Sequence, residues 1–273
     1  MTMTYKKLTA FLLSAVLLGT AAAACGSREQ EARDDEELLQ EETQAPGMPG
    51  ISGNSGQSEQ HADPEEEEGP SINVWGDSMA QGVYGDGVSY PDVLGKLTGI
   101  VTHNYGITSQ DSVEIMNRCL EYGDQSDDVM IIQMGDNGGW KDIEELIDQH
   151  RRMIGSGGSD RYIIVTSTDD PDDLVQIWGR KTAQDGLEDT WYEAAFKEAF
   201  GDHVFTARKY LIEHGLEING LEETQEDVRR AKKGNISLQL RNPEVDNTHL
   251  SAAGYNAMAY GLYEKGIELG YWR

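Results

Sequence analysis

Asp246-Asn247-Thr248-His249, near the carboxyl end of the chain, pairs an acid with an imidazole three positions on, and Gly76-Asp77-Ser78 lies far upstream. A serine hydroxyl is a weak nucleophile at its own pKa and needs an imidazole within hydrogen-bond reach, itself oriented by an acid. Asp246 and His249 are close enough in sequence to share one turn, so folding has only to bring Ser78 to them. Taken singly, Ser78 reads as a helix N-cap and Asp246 with His249 as the start of the last helix. Taken together they have the composition of a nucleophile, base and acid.

The elements that must position these residues alternate. Strands are predicted at Ser71–Trp75, Val101–Tyr105, Val129–Met134, Tyr162–Thr166 and His203–Thr206. Helices are predicted at Asp111–Glu121, Trp140–Ile154, Asp189–Phe200 and Ser251–Leu269, where apolar residues recur at spacings of three and four. Such alternation predicts one α/β domain over 71–273, a flavodoxin-like three-layer fold with a central five-stranded parallel sheet and helices on both faces. Ligands in these sheets bind beyond the carboxyl ends of the strands. Ser78 follows the first strand, Gly106 the second (in Asn104-Tyr105-Gly106) and Asn137 the third (in Gly135-Asp136-Asn137-Gly138-Gly139), while Asp246 and His249 precede the last helix. Asp169–Gly186 and Glu217–Ile236 read as polar or charged insertions.

In these ordered blocks the chain resembles the SGNH hydrolases, also called the GDSL esterase/lipase family, from Ser71 to the last helix. The family's four marker residues correspond to Ser78, Gly106, Asn137 and His249, with Asp246 as the acid. The resemblance implies that Ser78 attacks an ester carbonyl, that His249 takes and returns its proton, and that Asp246 orients the imidazole. It also implies an oxyanion hole made by the N–H groups of Ser78 and Gly106 and the side-chain amide of Asn137. The chain departs from the family in having Met79 after Ser78, where leucine is common, and Gly138 after Asn137, where aspartate is common. Asp136 is the expected substitute for that missing carboxylate.

Ahead of the domain, Lys6 and Lys7 precede an apolar run from Leu8 to Ala24, 17 residues long, shorter than the roughly 20 a spanning helix needs. Residues 1–24 therefore read as an export signal. Ala22-Ala23-Ala24-Cys25 resembles the lipobox of bacterial lipoproteins, which implies acylation of Cys25 and an address on the outer face of a bacterial membrane. Cleavage after an Ala-x-Ala site, giving a secreted protein, is the alternative. Residues 25–70 are rich in Glu, Gln, Gly, Pro and Ser and include Glu65-Glu66-Glu67-Glu68. They read as a self-repelling tether, since such a segment buries too little apolar surface to offset its ordering entropy.

The formal charge of −27 becomes two units more negative once Lys6 and Lys7 leave with the signal. This disfavours nucleic acid and anionic lipid surfaces as partners, so contact with membrane is expected through the lipid anchor only. Cys119 is expected on a helix as a small apolar residue. No zinc-type Cys/His spacing and no phosphate-binding glycine loop occurs in the sequence, so neither metal nor cofactor is expected. His61, His103, His150, His203 and His214 read as surface or packing residues. Trp75, Tyr84, Tyr90, Trp140 and Trp178 fall near strand ends, where an aromatic face serves either packing or a sugar ring, and Trp75 is expected to be buried. The expected substrate is a small polar ester or O-acylated glycan carrying a short acyl group. An acyltransferase using the same acyl-enzyme and a non-catalytic binding lipoprotein are the alternatives.

Overall fold

The computed structural model describes residues 69–168, 186–242, 245–246 and 248–273. The export signal, Cys25, nearly all of the tether, His61 and Trp178 lie outside the described residues.

Five strands form one sheet in the order β2-β1-β3-β4-β5, with every pair parallel: β1 (Ile72–Gly76), β2 (Thr102–Gly106), β3 (Val129–Gln133), β4 (Tyr162–Val165) and β5 (Val204–Phe205). Successive strand residues point to opposite faces, and the sequence fills both. Ile72, Val74, Val129, Ile131, Ile163 and Val165 pack on one side, against α1 (Ser78–Gln81), α2 (Tyr90–Thr98), α6 (Ala207–Ile218) and α8 (Ala252–Glu268). Trp75, Met130, Ile132 and Ile164 pack on the other, against α3 (Ser112–Tyr122), α4 (Ile143–Gly157) and α5 (Trp191–Phe200). Burying both faces explains the nearly continuous apolar run Val129-Met130-Ile131-Ile132. The buried Trp75 keeps its polar atom satisfied, with Nε1 donating to Gln125 Oε1 at 3.0 Å.

The expected three-layer α/β fold is therefore present, but α1, α2 and α6 are helices that the periodicity did not predict, and several of the predicted elements differ at their ends. The fourth-strand-to-fifth-strand region is shorter than its pattern predicts, because a 3₁₀ turn at Gly201–His203 leaves only Val204–Phe205 as strand. The helix expected from Trp140 begins at Ile143, since Asp142 caps it by accepting from Glu145 N–H. Trp140 instead donates from Nε1 to Gly135 O at 2.8 Å, tying it to the loop after β3. The Glu217–Ile236 stretch is not wholly irregular: Thr224 and Asp227 form a capping box that starts α7 (Gln225–Lys232).

The chain passes from β1 to β2 on one side and then to β3 on the other, so the order reverses between β1 and β3. The crevice beyond the carboxyl ends of these two strands is where such sheets accept ligands, and it is where Ser78 stands.

Candidate active site

The nucleophile turn is set by close packing. A Cβ on Gly76 would stand 2.6 Å from Ala80 Cβ and 2.9 Å from Gln133 O, so glycine is what lets α1 fold back onto the strand ends. Asp77 then caps the helix, its Oδ1 accepting the Met79 N–H at 2.9 Å. Ser78 is the first residue of α1, so its N–H has no intrahelical acceptor. The helix ends one turn later at Gly82, which is left-handed with φ 84°.

The second turn arrives from far along the chain. Asp246 Oδ1 accepts the N–H groups of Thr248 (2.9 Å) and His249 (2.8 Å), and Oδ2 accepts from His249 Nδ1 at 2.5 Å. The other imidazole nitrogen, Nε2, is 2.8 Å from Ser78 Oγ. With Nδ1–H donated to Asp246, Nε2 is left as the acceptor for the serine proton, the tautomer that general-base chemistry needs. Burial raises the Asp246 pKa, but the hydrogen bonds from the His249 backbone, the His249 ring and the Thr248 backbone outweigh it and hold the carboxyl below its ordinary value. Arg241 fixes the turn further by donating from its guanidinium to Thr248 O.

The third group of residues faces this pair. Asn137 Nδ2 donates to Gln110 O at 3.0 Å and lies 3.4 Å from Oδ2 of Asp77, the residue before Ser78, a long contact that holds its second N–H loosely. Its support therefore comes from Gln110 and Asp77 and not from Asp136, which accepts instead from Ser167 Oγ at 2.5 Å. The Gly106 assignment needs correction: its N–H already donates to Asn104 Oδ1 at 2.9 Å. The following amides are committed too, Ile107 to Gly76 O (3.1 Å), Thr108 to Gln81 Oε1 (2.8 Å) and Gln110 to Ile107 O (3.4 Å). Ser109 is the one amide of this turn with no acceptor among the described residues, and it adjoins Gln110, whose carbonyl holds Asn137. Ser109 has φ 66° at the third position of the turn, where glycine is usual. A glycine there would have been a legible signal; a serine is not.

Asp77 behaves unlike Asp246. Burial, followed by the neighbouring Asp136 carboxylate, pushes it up from 3.8 to about 7, against the downward pull of the Met79 N–H. Cys119 lies buried on α3, and burial pushes its thiol up to about 11, the opposite of an activated nucleophile. Of the remaining histidines, His150 is buried against Phe196 and His203 stacks on Tyr162, so both pack as expected. Trp75 and Tyr90 are buried too, whereas Tyr84 is 46% exposed with its ring 5.2 Å from that of His249 at 90°.

The molecule is thus an α/β protein of flavodoxin-like strand order whose switch-point crevice holds a hydrogen-bonded serine, histidine and aspartate. No protein-family model and no curated protein matches the chain. Among solved structures it is similar to the protein YXIM from Bacillus subtilis, with a TM-score of 0.51 and 17% identity over 74% of this chain and 57% of that one. It is similar also to a protein described as lipolytic, of the G-D-S-L family, from Desulfitobacterium hafniense (TM-score 0.46, 17% identity, 71% of this chain and 98% of that one). A further similarity is to TesA (TM-score 0.43, 16% identity, 73% and 99%). The likeness to YXIM shows a shared fold, and that fold is the parallel α/β arrangement that the sequence resemblance to the SGNH hydrolases implies.

Proposed function

We propose that this protein is a serine esterase. The observation that carries the reading is the unbroken chain from Asp246 Oδ2 through the His249 ring to Ser78 Oγ, with spans of 2.5 and 2.8 Å. Ser78 Oγ attacks the ester carbonyl as His249 Nε2 takes its proton. The imidazolium then gives that proton to the leaving alcohol as the carbon–oxygen bond breaks, leaving an acyl-serine. Water, deprotonated by the same nitrogen, releases the acid and restores Ser78. Asp246 stays ionised throughout and stabilises the imidazolium. On this reading the oxyanion is met by the N–H groups of Ser78 and Ser109, which have no acceptor among the described residues, and by Asn137 Nδ2.

The substrate is a short acyl ester, of acetyl size, on a carbohydrate or another small polar alcohol. Supporting an uncharged substrate, Asp246 holds the catalytic imidazole and Asp136 lies close enough to Asp77 to raise its pKa, and carboxylates at the site disfavour an anionic substrate. On this reading the domain works outside the cell, held by an acyl group on Cys25 through residues 25–70, as the Lys6-Lys7 start and the apolar run after it suggest.

A fluorophosphonate probe followed by mass-spectrometric mapping tests the proposal on wild type, Ser78→Ala and His249→Ala. The expected result is labelling at Ser78 that disappears in both variants. Folded wild-type protein that takes up no probe would overturn the esterase and leave the non-catalytic binding protein.

A further inference from the structure

The loop that follows the nucleophile helix holds its backbone where side chains rarely go. Between Gly82 and Gly87, Tyr84 has φ 60° and Asp86 φ 51°. For a bulky aromatic residue this is a genuine outlier, and such strain persists only when the surroundings over-determine it. Here they do. The Tyr84 carbonyl accepts from Asn242 Nδ2 at 3.0 Å, and the Val83 carbonyl accepts from Tyr255 Oη at 2.9 Å. Gly85 N–H donates to Gly82 O at 3.1 Å and Val88 N–H to Gly85 O at 2.8 Å. A Cβ on Gly85 would meet Val88 O at 2.2 Å and the Tyr255 ring at 2.7 Å. The outcome of this pinning is not a buried side chain: the Tyr84 ring is 46% exposed and stands edge-to-face with the His249 ring, 5.2 Å away.

Resting on the esterase reading above, the geometry points to Tyr84 as the substrate-contacting wall of the leaving-group side, which makes the preferred substrates esters whose alcohol carries a ring. His249 must deliver its proton to the leaving oxygen, so whatever flanks the imidazole flanks the alcohol part. The oxyanion donors assigned above, Ser109 and Asn137, come from other loops. A rigid aromatic face beside the imidazole offers apolar contact to the C–H face of a pyranose or to an aryl ring, and offers little to a small flexible alkyl group. Holding the tyrosine in a fixed conformation before substrate arrives removes the ordering cost that a mobile side chain would impose on binding.

The test uses the full-length chain and three acetates: ethyl acetate, phenyl acetate and an acetylated methyl pyranoside. Tyr84→Asn is the main variant, because asparagine tolerates a left-handed backbone and so keeps the loop while removing the ring. Tyr84→Phe is the control that keeps the ring. The expected result is that Tyr84→Asn lowers kcat/KM by about tenfold on a ring-bearing acetate, with ethyl acetate within about twofold and Tyr84→Phe close to wild type on all three. The larger loss, on the pyranoside or on phenyl acetate, says which ring the wall serves. Equal losses on all three esters, or no loss on any, would overturn the wall while leaving the esterase standing. If wild type hydrolyses none of them, or Ser78→Ala hydrolyses them as fast, the esterase reading falls and the wall falls with it.

Discussion

The Ser78 turn lies on the floor of the crevice, with Asp77 2% and Ser78 8% exposed, whereas the turn carrying Asp246 and His249 stands at its rim, with side chains 28% and 16% exposed. Each turn contains one aspartate, Asp77 next to the nucleophile in sequence and Asp246 hydrogen-bonded to the imidazole, yet their pKa values move in opposite directions. Asp246 is met by three donors and remains a charged acceptor for the imidazole. Asp77 is buried, sees a second carboxylate in Asp136, and meets one firm donor, the Met79 N–H. The same side chain is thus an electrostatic element where donors converge and a structural cap where they do not.

Breaking the rim should cost most. Asp246→Asn keeps the side chain's shape but favours the wrong imidazole tautomer, and kcat on an activated acetate should fall by about 10⁴. A fall of less than tenfold would mean that His249 is oriented by something other than Asp246. Next in size, Asn137→Ala removes the donor that the proposed esterase mechanism sets at the developing oxyanion, and kcat should drop by about 10² to 10³ with KM little changed. A change confined to KM would make Asn137 a ground-state contact.

Asp77, beside Ser78 on the floor, should respond least in rate and most in pH dependence. Asp77 is raised from 3.8 to about 7, so between those values the folded chain holds a proton that the unfolded chain has lost. Its contribution to stability therefore falls as pH rises through that window. His150 does the reverse: burial lowers it from 6.5 to about 4, so stability falls as pH drops between those values. The two slopes oppose each other in wild type. Asp77→Asn, which retains an N-capping oxygen, removes the first and should leave stability rising more steeply from pH 4 to 6.5, as read from urea midpoints. A pH profile identical to wild type would show that Asp77 is ionised in the folded protein.

Much of this was legible in the residues. The alternation of apolar strands with amphipathic segments predicts the parallel sheet because a strand buried on both faces must be apolar throughout, as Val129–Ile132 is. The structure adds what apolar spacing did not reveal at the helix starts: Asp111 with Glu114 and Thr190 with Glu193 satisfy helix-end donors through their own side chains. The Asp246–His249 pair was legible because its three hydrogen bonds are local. The helix inside Glu217–Ile236 was hidden, since its apolar content is too low for periodicity to show.

By itself, then, the sequence determined the five strands and four of the helices, the residue types of the triad and the acid's reach to its imidazole, because propensity, alternation and short-range hydrogen bonds act between near neighbours. Only the tertiary structure decided that Asn137 is held by Gln110, that Ser109 takes a positive φ with its amide left open among the described residues and that Tyr84 stands against His249. Backbone angles of that sign, and the competition among carbonyls for each N–H, arise only when strand ends and loops distant in sequence are packed into one crevice.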